Sequence, residues 1–147
     1  VSHLSDKGFW DIAEHSTRPF AASHSNCRAL APHCRNLTDE MIRVMAEKGG
    51  LVGLNYCSGF LDDQPRPELC RSTTALMARH AAHFKQVGGI EIIGLGSDFD
   101  GIGGKLEMGD CSKLPLLADA LRKEGFTEDE VEQIFFRNAR RFFEENL

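Results

Sequence analysis

The sequence lacks any long apolar run, since no window approaches the roughly 18 uninterrupted apolar residues of a membrane-spanning helix. It also lacks a basic block, because 17 Lys and Arg and 22 Asp and Glu are dispersed along 147 residues and give a net charge of −5. Such a surface does not favour binding to a phosphate backbone. We therefore expect neither a transmembrane segment in this chain nor nucleic acid as a partner.

Paired cysteines are missing as well. The five cysteines form an odd set with no CxxC motif: Cys27, Cys34, Cys57, Cys70 and Cys111. Such a set indicates neither a disulfide framework nor a thiolate zinc site. Reduced thiols are typical of a reducing compartment, so the expected location is the cytoplasm. No low-complexity linker interrupts the sequence, and we expect residues 1–147 to form a single domain.

What the sequence does contain is an alternation of short apolar strands with helices. Strands are predicted in "RPFAASHS", "LVGLNYC" and "IEIIGLGSDFDG". A first helix is predicted from about Asp6 to Glu14, with Ser5 as its N-cap. Helix starts are clearest at Thr38 and at Thr127, where Glu130 completes a capping box. This order predicts an α/β fold in which parallel strands are joined by right-handed helical crossovers.

Polar residues follow the predicted strand ends. The loop-like segment "SHLSD" indicates that a further strand ends near His3, and the next three strand ends carry His24, Asn55 and Asp98. Four strand–helix units are half of a TIM-type (β/α)₈ barrel, whose full length is about 250 residues and whose active site lies at this end of the strands. We expect a partial domain, half of such a barrel, with the other half outside these residues.

Two histidines are the candidate metal ligands. His3 and His24 follow successive predicted strands, and imidazoles that converge at a barrel mouth form half of a transition-metal site. The structural alternative is a pair of hydrogen-bonded histidines at the sheet rim. His80 and His83 share one face of a helix outside the barrel, so we expect them to be structural.

Asp98 and Arg35 are the other candidates. A carboxylate at position 98 can ligate a metal, transfer protons or hold an ammonium group, whereas the alternative for "SDFDG" is a turn in which both aspartates cap backbone groups. Arg35 can reach over the mouth and clamp a carboxylate. Arg28 in the same loop is its competitor, and a solvated surface arginine is the alternative for either one.

Three segments together, "SHLSDKGFWDIAEHSTRPFAASHSNCRAL", "HCRNLTDEMI" and "IGLGSDFDGI", resemble the membrane dipeptidase, or renal dipeptidase-like, family of zinc metallopeptidases in the amidohydrolase superfamily. The similarity extends over essentially the whole chain and matches the C-terminal part of that family's proteins. It implies the second half of the family's barrel, with the N-terminal half absent from these 147 residues.

The resemblance also implies an activity, namely zinc-dependent hydrolysis of dipeptides by a metal-bridging hydroxide. It implies that His3 and His24 help to hold two Zn²⁺ ions per complete active site. It further implies that Arg35 contacts the substrate carboxylate, and that Asp98 takes part in proton transfer and holds the free amine of the dipeptide.

The sequence departs from the family pattern in what it omits. The family's His-x-Asp pair, its metal-bridging glutamate and a further substrate-contacting histidine belong to the N-terminal half of the barrel, and "HxD" does not occur here. We therefore expect at most one weakly bound zinc ion, and no dipeptidase turnover, from this chain alone.

Two alternatives stay open. The chain can instead be a non-catalytic half-barrel that self-associates or pairs with a separate N-terminal half, because an open half-barrel leaves strand edges and apolar faces exposed. It can also derive from a related binuclear-metal amidohydrolase that cleaves another amide, because a fold alone does not select the substrate.

Overall fold

The computed structural model describes all 147 residues, and its helices and strands alternate largely as the sequence predicts. The α-helices, numbered in chain order, are α1 (Asp6–His15), α2 (Asp39–Glu47), α3 (Ser58–Leu61), α4 (Thr74–Gly88), α5 (Leu114–Lys123), α6 (Glu128–Glu132) and α7 (Asn138–Asn146). Short 3₁₀ turns lie at Pro67–Leu69, Ile90–Ile92 and Cys111–Lys113.

Three strands form one sheet, and all of them run parallel. They are β1 (Ala21–Ala22), β2 (Leu51–Leu54) and β3 (Ile93–Leu95), in the spatial order β1-β2-β3. The central strand β2 is buried at all four positions, as expected for a parallel sheet covered by helices. The parallel pairing confirms the predicted α/β class.

A fourth strand end was predicted near His3; residues 1–5 form no strand in this structure, so that strand stays a prediction. The first residues form a turn in which Leu4 N–H donates to the Val1 carbonyl at 3.0 Å. Only one main-chain group of this segment reaches β1, the Val1 ammonium group, which donates to the Ala21 carbonyl at 2.6 Å. A strand ladder needs successive main-chain bonds, so the segment lies beside β1 without extending the sheet.

Local sequence signals explain where the helices begin. The Thr38 side chain accepts a hydrogen bond from Met41 N–H, and Leu37 and Ile42, which have the spacing of a hydrophobic staple, are both buried. The predicted capping box at the start of α6 is also confirmed, with reciprocal bonds between Thr127 and Glu130. Such caps satisfy amide groups that the first turn leaves unpaired.

The C-terminal helix contains a feature that the sequence did not predict. Between α6 and α7 the segment Gln133–Arg137 is π-helical, and the helical conformation continues through it. Directly after this segment, the buried Asn138 amide donates to the carbonyls of Ile90 and Ile93 at 2.7 and 2.8 Å. These bonds fasten the helix to the start of β3.

The core lies between the sheet and the helices, and α4 packs against both α2 and α5. His80 of α4 belongs to this core. Cys27 N–H donates to its Nδ1 at 3.1 Å, its Nε2 is hydrogen-bonded to the Leu61 carbonyl at 3.0 Å, and burial lowers its pKa to about 4. His80 therefore has the structural role that was predicted. None of the helices is both long and apolar enough to cross a membrane.

Main chains approach one another closely at the carboxyl ends of the strands. A Cβ atom added to Gly53 or to Gly96 would overlap with the carbonyl oxygen of Ser23, which directly follows β1. Only glycine fits these two positions. The resulting contact gathers the segments that follow the three strands at one edge of the sheet.

Candidate functional site

His3 and His24 lie side by side at this edge of the sheet. Their Nε2 atoms are 2.9 Å apart, and the ring centroids are 5.0 Å apart with an interplanar angle of 63°. His24 comes two residues after β1, whereas His3 is in the N-terminal turn. The structure thus brings the two candidate ligands together although only one of them follows a strand.

Neighbouring groups fix the orientation of His24. Its backbone N–H donates to the Ser2 hydroxyl at 3.0 Å, and its Nδ1 is hydrogen-bonded to the Ser23 hydroxyl at 2.8 Å. Burial is the main factor that lowers its pKa; the positive charges of His3 and Arg35 add to this effect and Asp98 opposes it. The neutral ring, which is the form that binds metals, is therefore favoured.

The donor atoms fit a metal ion that is bound through nitrogen. Two nitrogen ligands about 2.05 Å from a tetrahedral zinc ion lie roughly 3.3 Å apart, close to the distance between the His3 and His24 Nε2 atoms. No set of three histidine, cysteine or acidic side chains with metal-binding geometry is present in the chain. The two histidines therefore amount to a partial ligand set, to which Asp98 does not add a third member.

The loop after β1 carries two arginines, and they have different surroundings. Arg28 forms a bidentate ion pair with Asp6, with both N–O distances at 2.7 Å, and it also donates to the carbonyls of Cys34 and Asn36. All of the Arg28 guanidinium nitrogens are thus engaged within the chain. The surface-arginine alternative does not describe Arg28, which has a structural partner.

Arg35 is held at only one of its guanidinium nitrogens. Its Nε donates to the Ser2 carbonyl at 2.8 Å, and its guanidinium carbon lies 5.3 Å from the centroid of the Phe60 ring. The ring of His33 also lies near Phe60, with 4.7 Å between the ring centroids. The two terminal nitrogens of Arg35 have no partner in the chain, so they are free to bind a carboxylate as a planar pair.

Asp98 follows β3 and lies in a turn. It is the only non-glycine residue with a positive φ, at 62°, and its carbonyl accepts a hydrogen bond from Gly101 N–H at 2.9 Å. No backbone N–H group donates to its carboxylate, which instead accepts a bond from the Asn55 amide at 3.2 Å. The turn alternative is thus right about the main chain, while the carboxylate is not used as a cap. Asp100 is exposed.

Sequence reasoning missed three residues that support this site. Ser2 contacts both His24 and Arg35, Phe60 stacks against Arg35, and Asn26 pairs with Asn55. Asn55 had been noticed only as the polar residue after a buried strand. The others carry no local sequence signal because their partners lie between 22 and 33 residues away.

Comparisons with known proteins agree on one family. Residues 1–146 match the sequence profile of the membrane dipeptidase family, peptidase family M19. An uncharacterized protein encoded in the pqqA 5′ region of Klebsiella pneumoniae is 40% identical over 138 residues, which cover 94% of this chain and 51% of that protein. Dipeptidase tcpJ of Claviceps purpurea is 30% identical over 146 residues, which cover 99% of this chain and 33% of that protein.

A solved structure has the same fold. The crystal structure of a metallo peptidase from Rhodobacter sphaeroides, liganded with a phosphinate mimic of the dipeptide L-Ala-D-Ala, superimposes with a TM-score of 0.91 at 35% identity. The match covers 99% of this chain and 41% of that one. The chain thus spans about half or less of the length of these relatives.

The family assignment rests on the profile match together with the structural similarity. The dipeptidases of this family are metal-dependent hydrolases. The helix and strand order, the parallel sheet and the histidine pair are all found in a chain that the family profile covers almost completely. The chain belongs to the membrane dipeptidase family, peptidase family M19.

Proposed function

We propose that this chain is the C-terminal half of the TIM-type barrel of a zinc-dependent dipeptidase. The observation that carries the proposal is that His3, His24, Arg35 and Asp98 lie at one edge of a parallel sheet. There the two histidines face each other and Arg35 presents a free pair of donors. Polar groups at the carboxyl ends of parallel strands are where barrel enzymes bind their substrates.

Each side chain has a role in this proposal. His3 and His24 hold the metal through their Nε2 atoms; when bound, the metal supplies polarisation of the scissile carbonyl and a lowered pKa for water. The terminal nitrogens of Arg35 bind the dipeptide carboxylate and fix the register of the substrate. The Asp98 carboxylate takes the proton of the attacking water and delivers it to the amide nitrogen as the C–N bond breaks.

The remaining ligands would come from the N-terminal half of the barrel. A complete site would hold two Zn²⁺ ions, whereas this chain supplies two nitrogen ligands and would bind at most one ion weakly. The outer strands of the sheet, β1 and β3, each have a strand neighbour on one side only, and the rest of the barrel would pair on the other side. The five unpaired cysteines support a cytoplasmic location.

The test is an assay of the complete reading frame, loaded with zinc, for dipeptide hydrolysis. Arg35→Ala should lower kcat/KM for a dipeptide by about a hundredfold or more, and much less for the corresponding dipeptide amide, which has no carboxylate. Arg28→Ala is the matched control and should leave both substrates nearly unaffected. A metallated full-length protein that ignores dipeptides but cleaves a cyclic amide would favour a different amidohydrolase activity.

A second function, assembly without catalysis, is supported by exposed apolar side chains in the N-terminal turn and in α1. Leu4, Trp10 and Ile12 are each about two-fifths exposed, at 42%, 41% and 39%. Together with the outer edge of β1, on which no strand pairs, they favour self-association or pairing with a separate N-terminal half. Light scattering discriminates, because a stable monomer of 16.3 kDa would contradict self-association.

A further inference from the structure

Asn55 is a buried polar residue that the proposed chemistry does not yet use. It follows the central strand β2, and its side chain is completely buried. Its Nδ2 donates to Oδ2 of Asp98 at 3.2 Å, across 43 residues of sequence. Buried polar groups are normally satisfied by hydrogen bonds. The Asn55 amide is such a group, and one of its bonds goes to the carboxylate to which proton transfer is assigned.

The orientation of the Asn55 amide is determined by its other contacts. Its Oδ1 accepts a hydrogen bond from Cys57 N–H at 2.6 Å, and a backbone N–H group can only donate. The oxygen must therefore face Cys57, and the amide nitrogen must face Asp98. The amide can then only donate to the carboxylate, and rotating it by 180° would lose both bonds.

A second asparagine holds the backbone of Asn55 in place. Oδ1 of Asn26 accepts from Asn55 N–H at 3.1 Å, and Nδ2 of Asn26 donates to the Asn55 carbonyl at 2.9 Å and to the Phe60 carbonyl at 3.2 Å. Asn26 is itself completely buried. The two asparagines thus link the segment after β1 to the segment after β2, and Asn55 extends the link to Asp98 after β3.

Oδ1, the other carboxylate oxygen of Asp98, packs against Gly101. A Cβ atom at position 101 would overlap with Oδ1 of Asp98, so the carboxylate lies directly against the Gly101 backbone. Asp98 also has a positive φ, a conformation that costs free energy for a residue with a side chain. The surrounding contacts, not intrinsic backbone preference, keep the carboxylate in this position.

We propose that Asn55 is a positioning residue that, with Asn26 behind it and Gly101 opposite, holds the Asp98 carboxylate in one rotamer. The role of this rotamer in proton transfer rests on the proposed dipeptidase function; the orientation itself does not. Catalytic groups need such support because a displacement of about 1 Å can lower a rate about a hundredfold.

The primary test is NMR of the isotope-labelled 147-residue chain, without metal or substrate. In the unsubstituted chain, the Hα–Hβ couplings of Asp98 should indicate a single χ1 rotamer, and a scalar coupling should connect Asn55 Nδ2 with Asp98 Cγ across the hydrogen bond. Asn55→Ala should give Asp98 couplings that average over two or more rotamers. Unchanged couplings in that variant, or averaged couplings in the unsubstituted chain, would overturn the proposal.

Asn36→Ala is the matched control. Asn36 is also buried and donates to two carbonyls, those of Ala31 and Phe60, but it does not contact Asp98. Its substitution should leave the Asp98 couplings unchanged, so averaging in this variant as well would point to a general loss of packing and contradict a specific role for Asn55. Should Asn55→Ala fail to fold, Asn26→Ala should give partial averaging, and the coupling across the hydrogen bond still tests the contact.

The same substitution in the complete enzyme tests the catalytic consequence. Asn55→Ala should lower kcat about tenfold to a hundredfold, and Asn36→Ala should lower it far less. An unchanged kcat would overturn the role of Asn55 in catalysis. Inactivity of the unsubstituted enzyme would contradict the proposed function instead, and would leave the NMR result on Asp98 as it stands.

Discussion

Histidine and arginine side chains have different surroundings in two regions of this molecule. One region is the helix layer, which consists of the helices that cover the sheet, and the other is the edge of the sheet at which the strands end. In the helix layer, His80 uses both ring nitrogens for bonds to main-chain groups, and burial keeps it neutral. At the edge, His24 directs its Nε2 only toward His3, at 2.9 Å. The first arrangement completes the fold, whereas the second leaves a nitrogen pair available to an ion.

The two arginines of the loop after β1 show the same contrast. Arg28 uses its guanidinium group for Asp6 and for two carbonyls, while Arg35 keeps both terminal nitrogens free. Histidines and arginines also occur elsewhere in the chain, so residue type alone does not distinguish the candidate site. What distinguishes it is that some of its polar atoms have no hydrogen-bond partner of the ordinary kind.

The close approach of main chains at the edge should give the largest effect. Gly96→Ala should destabilise the chain by about 4 kcal/mol or prevent folding, because the new Cβ would overlap with the Ser23 carbonyl, a backbone atom that cannot move aside without distorting β1. Urea unfolding measures the change. Gly103→Ala is the control, since no atom lies within 4 Å of its added Cβ, and it should change stability by less than about 0.5 kcal/mol. Equal effects of the two substitutions would contradict the close approach of Gly96 to the Ser23 carbonyl.

The buried histidine of the helix layer should make stability depend on pH. The pKa of His80 is about 4 in the folded chain against 6.5 for a free side chain, so the unfolded chain binds more protons between these values. The free energy of unfolding should therefore fall as the pH falls from about 6.5 to 4, by on the order of 3 kcal/mol from this group.

Comparison of variants isolates this contribution from that of the carboxylates. Urea unfolding at pH 7 and pH 4 should show a smaller difference in His80→Gln than in the unsubstituted chain. His15→Gln, which replaces an exposed histidine, should keep the full difference. A pH dependence that is the same in all three chains would show that His80 does not titrate as described.

The sequence predicted best those features that depend on neighbouring residues. The caps at Thr38 and Thr127 and the buried strand β2 follow from local patterns, and the structure confirms them. The strand predicted in "RPFAASHS" contains only Ala21 and Ala22, which pair with Leu51 and Val52, although the partner strand β2 continues to Leu54.

The site was predictable in part. His24 and Asp98 could be singled out because each follows an apolar strand, and the resemblance favoured Arg35 over Arg28. Composition and spacing could not separate the two arginines, since the difference between them is the distant carboxylate of Asp6, 22 residues from Arg28. The contacts of Ser2 and Phe60 with Arg35 likewise depend on tertiary structure.

Zinc binding should distinguish the histidine pair at the sheet edge from the other histidines of the chain. With two nitrogen ligands and no third acidic, cysteine or histidine ligand in the set, the chain should bind at most one zinc ion, and weakly. His24→Ala should lower the affinity at least about tenfold, while His15→Ala should leave it unchanged. Equilibrium dialysis measures both, and two tightly bound ions per chain would show that the ligand set is more complete than these two side chains.

The smallest effect concerns the ion pair that distinguishes Arg28 from Arg35. A double-mutant cycle on Arg28 and Asp6 should give a coupling energy of about 0.5 to 1 kcal/mol, since the pair is bidentate but the Asp6 side chain is 52% exposed. The hydrogen bond from Arg28 lowers the pKa of Asp6, so this stabilisation is present above the unfolded pKa of the carboxyl and is lost as the pH falls through the lowered value.

The coupling should also decrease in 1 M salt, because partly exposed charges are screened. Arg35→Ala should show no comparable salt dependence, because Arg35 has no carboxylate partner in the chain. Urea unfolding at low and high salt compares the two, and an equal salt response would mean that Arg35 is paired in solution and is not free to bind a substrate carboxylate.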